Sequence, residues 1–219
     1  MANIRVFHVK QQQTEQLNQY ADLIRRYHKT LDLMSGVAVE GLEEKFADSL
    51  VYAEFMASRL EPTHRILDIG SGVGLPGIPL AIQFPNYAIT LVERRQKRAS
   101  FLKIVVSQLG LENVTVVAED VTAWQQPPVV WMTAQAVGRF LELYCLTQHL
   151  HDENIFLLSR KGSDYLEEVT ELQEKLNFPN SDLSPVVSRE TAIATVPLKS
   201  HGTLVALSLP GGLHCRLSE

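Results

Sequence analysis

One stretch concentrates residues able to do chemistry together: Asp68-Ile69-Gly70-Ser71-Gly72-Val73-Gly74-Leu75-Pro76-Gly77. It follows the short apolar run RILDI (65–69) and opens a helical pattern. Glycines let a backbone turn sharply and approach a ligand closely. The carboxyl end of a first strand is also where open α/β sheets place their ligands. Glu93 closes the next apolar run, 23 residues past Gly70. A carboxylate there can accept two hydrogen bonds from ribose hydroxyls. The pattern describes a site for a nucleotide-type cofactor. Gly72-x-Gly74-x-x-Gly77 formally matches the dinucleotide fingerprint. Counted from Gly70, the first glycine of the turn, position 75 is Leu where that fingerprint needs Gly. The same acid at the end of the second strand serves either cofactor class.

Candidates for the other half of a site are basic. Arg94, Arg95, Lys97, Arg98 and Lys103 follow Glu93, and Arg25, Arg26, His28 and Lys29 end the first helical pattern. Lys199 and His201 lie in the last loop. Such clusters can bind phosphates, although a solvated helix face explains 25–29 and 94–98 equally well. Arg160 and Lys161 follow the fifth strand on the same rim as Gly70 and Glu93, a position that favours function. Other chemistries find less support. Cys145 and Cys215 lie 70 residues apart with no CxxC, which argues against a zinc cluster or a dithiol redox pair. Cys145 sits in an amphipathic helix, where a buried thiol in a reduced, cytosolic setting is expected. The seven histidines show no HExxH spacing, and no metal site is expected. Gln126-Pro127-Pro128-Val129 reads as a turn, and Trp124 and Trp131 as packing groups.

The elements that must position these residues follow from hydrophobic periodicity. Leu17, Tyr20, Ala21, Ile24, Tyr27 and Leu31 make one helical face, and Leu42, Phe46, Leu50, Ala53 and Met56 a second. Residues 1–60 read as a helical extension and 61–219 as the main domain. Within the latter, RILDI, AITLVE (88–93), VTVVA (114–118), PVVWMTA (128–134) and NIFLLS (154–159) are strand candidates. Helical patterns lie between most of them, one carrying Ala99, Leu102, Val105, Val106 and Leu109 inward and stopping at Gly110. That alternation predicts a parallel sheet covered on both faces. SDLSPVVSRE (181–190) and GTLVALSLP (202–210) read as two strands without a helix between, the last antiparallel.

Composition sets the outer bounds. The chain has 219 residues, 45% hydrophobic and 21% charged, enough for a core without staples. The net charge of −5 argues against non-specific coating of nucleic acid but leaves room for a local basic patch. The N-terminus lacks the apolar core of a signal peptide. No apolar run is long enough to span a membrane.

Asp68-x-Gly70-x-Gly72-x-Gly74 resembles motif I of class I S-adenosylmethionine (SAM) methyltransferases. More specifically, LDIGSGVGLPGIPLAI (67–82), ITLVERRQKRASFLK (89–103) and LGLENVTVV (109–117) are similar to the GidB/RsmG family, which methylates guanine N7 in small-subunit (16S) ribosomal RNA. Weaker similarity extends over roughly residues 15–210, through LDLMSGVAVEGLEEKFADSL (31–50) and LLSRKG (157–162). The resemblance implies a Rossmann-like, doubly wound seven-strand sheet and SAM as cofactor. It implies SAM contacts at Gly70, Leu75 and Glu93, and near Asp120, Val121 and Thr122 after the third strand. With the rest of motif I, the cofactor set becomes Asp68, Gly70, Ser71, Gly72, Gly74, Leu75, Glu93, Asp120, Val121, Thr122 and Gln135. The substrate set is Gln135, Arg160 and Lys161, with no catalytic residue assigned.

The substrate side departs from the family. Ala134-Gln135-Ala136 stands for its usual Ser-Arg-Ala, and glutamine carries no charge. Lys45 replaces the His that precedes Phe46-x-Asp48. Asp32-Leu33-Met34 stands for Asn-Leu-Thr, and Val130 for an Asp. The leading expectation is a cytoplasmic, monomeric methyltransferase of small-subunit rRNA. The alternatives are methylation of another RNA base or a small molecule, a SAM- or RNA-binding module without turnover, and an NAD-linked oxidoreductase. N7 of guanine has a lone pair and no proton to lose, so the missing catalytic dyad is compatible with the leading reading.

Overall fold

Four consecutive buried residues form the central strand β1 (Ile66–Ile69), and the sheet grows outward from it on both sides. The structure is a computed structural model describing residues 11–176 and 193–211. The helices α1 (Gln11–Tyr27), α2 (Gly36–Glu40) and α3 (Leu42–Ala57) come first. After β1 the chain alternates through α4 (Gly77–Gln83), β2 (Ile89–Val92), α5 (Gln96–Leu109) and β3 (Val114–Val117). It continues with β4 (Val129–Gln135), α6 (Phe140–Thr147), β5 (His151–Lys161), α7 (Tyr165–Lys175), β6 (Ile193–Pro197) and β7 (Thr203–Pro210).

The sheet order is β3-β2-β1-β4-β5-β7-β6. β1 to β5 run parallel, and β7 is antiparallel to both β5 and β6. The antiparallel last strand is as the sequence predicts. The strand expected at 181–190 lies outside the described residues. Two register relations matter for the site: Asp68 lies beside Thr133, and Gln135 beside Arg160.

Alternation along each strand divides the core in two. Ile66, Trp131, Leu158 and Leu204 face α1, α3, α4 and α5, while Leu67, Met132, Leu157 and Leu207 face α6 and α7. The N-terminal helices belong to the first of these cores. Tyr20 of α1 and Tyr52 and Met56 of α3 are fully buried in it with Ile78, Phe101 and Leu102. Tyr20 reaches the glycine loop itself, donating its hydroxyl to Val73 O at 2.6 Å and stacking on Phe46 at 5.3 Å. Trp131 and Trp124 are buried, as packing roles require. Trp131 stacks on Phe156 at 4.2 Å and donates its ring N–H to His64 Nδ1. Among the described residues no helix is long and apolar enough to cross a membrane.

Candidate functional site

The glycine loop leaves β1 by a sharp turn in which Gly70 adopts φ +62°, a region that suits a residue without Cβ. Space requires the glycine too, since a Cβ there would lie 2.8 Å from Val137 Cγ2. Ser71 N donates to Val92 O at 3.1 Å and ties the loop to β2. Glu93, just beyond β2, completes the tie. Its Oε2 accepts Gly72 N at 2.9 Å and its Oε1 accepts Arg95 N at 2.8 Å. These bonds fix the carboxylate at the wall of a cleft of about 470 Å³. A carboxylate offers about four lone-pair directions, so two remain for a ligand.

Gly70, Glu93, Asp120 and Val121 line this cleft, together with Arg94 and Arg98. Thr122 turns toward Asp120, donating both its N–H (3.1 Å) and its hydroxyl (2.8 Å) to Oδ1. These bonds and the nearby Arg94 hold the Asp120 carboxyl below its ordinary range. The rest of motif I lies beneath the cleft. Ser71, Gly74 and Leu75 are buried, and Asp68 is 1% exposed. Its Oδ1 accepts the Thr133 hydroxyl at 2.7 Å, and its Oδ2 is buried against Gly77. Burial pushes the Asp68 carboxyl up to about 6, partly offset by the Thr133 and Ser71 hydroxyls and the Gly77 amide, while the Glu93 charge adds to the rise. A Cβ on Gly77 would meet Leu91 Cδ2 at 2.3 Å, so this glycine serves close packing of α4 on the sheet. Asp68 therefore supports the loop from inside, through Thr133 on the neighbouring strand.

A second pocket of about 600 Å³ opens beside the cleft, over the carboxyl ends of β4 and β5 and the β6–β7 turn. Gln135, Arg160 and Lys161 all line it. Gln135 thus lines this pocket and not the cleft beside Glu93. The two spaces share Ala136, whose φ of +57° is uncommon for a residue with a Cβ. Such strain persists where the surroundings over-determine it, and it clusters at ligand sites.

The two basic residues behave differently. Arg160 is half-buried, with Nε donating to His201 O at 3.2 Å. Lys161 lines the pocket with its stem but turns its ammonium inward, to Gly138 O at 2.6 Å and Glu168 Oε2 at 2.7 Å. The ammonium also sits 4.3 Å from the Phe140 ring centroid. Glu168 Oε2 further accepts Phe140 N at 3.0 Å. This places Lys161 as a clamp on the β4–α6 loop.

Two acids of this region carry no role in the sequence reading. Glu168 falls on the same helical stripe as Tyr165, Val169 and Leu172, a signal for a buried acid that needs a cation. Asp48, buried on α3, accepts N–H groups from Lys199 and Ser200, more than 150 residues away. Nothing local announces that pairing. Elsewhere, Cys145 is disulfide-bonded, which corrects the expectation of a free thiol. Arg25 and Arg26 are exposed, Arg25 pairing with Asp22 at 3.0 Å.

The strand order, the glycine turn after β1 and the acid after β2 define a class I SAM-dependent methyltransferase. A SAM-dependent methyltransferase from Aquifex aeolicus has the same fold, with a TM-score of 0.56 and 16% identity over 77% of this chain and 93% of that one. The chain also matches the family model GidB, rRNA small subunit methyltransferase G, over residues 13–194, and it belongs to that family. It is 35% identical to the ribosomal RNA small subunit methyltransferase G of Laribacter hongkongensis, over 71% of this chain and 73% of that one. It is 31% identical to the protein of that name from Psychromonas ingrahamii, over 87% and 91%.

Proposed function

We propose that this chain transfers a methyl group from SAM to N7 of a guanine in small-subunit ribosomal RNA, as a cytoplasmic monomer. The observation that carries the reading is the pair of pockets meeting at Ala136, one walled by a pre-oriented carboxylate, the other by Arg160 and Gln135. The first has the chemistry of an adenosine-type cofactor site. Glu93 keeps two lone-pair directions for ribose hydroxyls, Asp120 offers a carboxylate to a donor, and Gly70 removes the side chain that would block the approach. When bound, SAM supplies a methyl group carried on a positively charged sulfur.

The chain's own task is alignment. Holding donor and acceptor in line replaces a bimolecular encounter with an intramolecular one. The acceptor-side pocket carries no carboxylate among its lining residues, which suits an acceptor atom that has no proton to lose. Arg160 supplies a guanidinium for RNA phosphate oxygens. Gln135 supplies an amide for a base edge. The site offers alignment and charge and needs no base.

The test is methyl transfer from labelled SAM to small ribosomal subunits lacking their guanine-N7 mark, followed by nucleoside analysis. Label in N7-methylguanosine supports the reading. Label in another nucleoside moves the acceptor, and Gln135 favours that second reading because it lacks the family's charge. No label, with SAM binding intact by calorimetry, removes rRNA as the substrate.

A further inference from the structure

The acceptor-side pocket has one wall made by the turn 198–202 between β6 and β7. That turn is closed by Leu198 N donating to Gly202 O at 3.2 Å. His201 and Gly202 line the pocket, and the His201 carbonyl accepts Arg160 Nε. The turn is anchored from behind by one side chain. Asp48, 2% exposed on α3, accepts Lys199 N at 2.6 Å and Ser200 N at 3.2 Å through Oδ1. Its Oδ2 accepts the Ser200 hydroxyl. Three donors on one buried carboxylate make a rigid clamp, because charge-assisted hydrogen bonds are about twice as strong as neutral ones.

We infer that Asp48 is a positioning residue for the acceptor: through the 198–202 turn and the His201 carbonyl it sets where the Arg160 guanidinium stands. The inference rests on reading this pocket as the acceptor site. A guanidinium on a three-carbon stem has many rotamers, and one bond to a fixed carbonyl removes most of them. Without the anchor, His201 O moves with the turn and Arg160 loses its reference point. The cofactor cleft shares no residue with this linkage.

The experiment is a double-mutant cycle on methylation of small ribosomal subunits lacking the N7 mark, with SAM affinity measured separately by calorimetry. Asp48→Ala is expected to raise KM for the subunits about tenfold and Ser200→Ala about threefold, the scale of lost charge-assisted hydrogen bonds. SAM affinity stays within about twofold in both. In an Arg160→Ala background the Asp48→Ala effect should shrink to less than about twofold, since residues acting through one another are not additive. If Asp48→Ala does not fold, Asp48→Asn and Ser200→Ala carry the same cycle. Effects that add fully in the Arg160→Ala background overturn the inference, as does a parallel loss of SAM affinity. If Arg160→Ala itself leaves KM unchanged, the acceptor-site reading falls, and the inference with it.

Discussion

In the cleft over β1 and β2, both oxygens of Glu93 accept backbone N–H groups, from residues 2 and 21 positions away. In the pocket beside β5, the anchoring acids are Glu168 and Asp48. Glu168 holds a buried ammonium and an amide 28 residues away, and Asp48 holds a turn 151 residues away. The first construction is two adjacent loops stitched by amides. The second is remote segments brought together by buried charge. Every residue except proline carries a backbone N–H, so the stitching tolerates most changes in the surrounding side chains. A buried ion pair needs both partners at once. The cleft beside Glu93 is lined by the glycine turn at Gly70, and the second pocket by Gln135, where the sequence reading expects arginine.

The contrast is most sharply tested at Glu168. Glu168→Gln leaves the Lys161 ammonium buried without a counter-ion, and loss of one partner from such a pair costs about 3–5 kcal/mol. Urea unfolding would measure that loss. Calorimetry with SAM would show whether the cleft survives it. A fall in SAM affinity of the same size would mean that the two pockets are not separately built.

Asp68 tests the cofactor side through pH. Its carboxyl is raised from 3.8 to about 6, so its favourable protonated state is full below about pH 4 and lost as pH rises through about 6. The loss is on the order of 3 kcal/mol. His151, buried and lowered to about 4 by burial and by His149, works in the opposite sense: stability is full above about 6.5 and lost as pH falls through about 4. In the wild type these slopes oppose one another between pH 4 and 6. Asp68→Asn should unmask the His151 slope, with stability rising steadily with pH across that window. An unchanged profile in denaturant titrations would sink this assignment.

Two smaller effects concern ligands. Glu93→Gln removes the charge that the loop amides hold, and SAM affinity should fall about tenfold while RNA affinity holds, as expected for weakened charge-assisted bonds. Equal weakening of both ligands would erase the distinction between the pockets. Gln135→Arg places a second guanidinium beside Arg160. It should improve RNA affinity by about threefold and steepen its salt dependence by about one phosphate contact. An unchanged salt slope would mean that position 135 does not face the RNA backbone.

The path from chain to site was readable where the physics is local. The strand–turn–helix around Asp68 to Gly77, Glu93 at the next strand end and the Gly110 helix stop all follow from spacing over a few residues. Their partners are near in the chain. Lys161 was placed correctly on the rim but not by its ammonium, because exposure of a strand end says nothing about which way a long side chain turns. The pairing of Asp68 with Thr133 was not legible, since the β1–β4 register joins residues 65 positions apart. The partners of Asp48 could not be read, since its donors come from a turn at the far end of the sequence.

Residue types and periodicity by themselves determined the alternating α/β pattern, the antiparallel last strand and the glycine loop with its acid, because backbone geometry and hydrophobic spacing act over one or two turns. Only the tertiary structure decided that the N-terminal helices share the core of the sheet, that Lys161 serves as a clamp, and that Asp48 anchors the wall beside Arg160. Those outcomes depend on which buried charges meet, and a buried charge is satisfied by whatever partner the completed fold brings to it, at any distance along the chain.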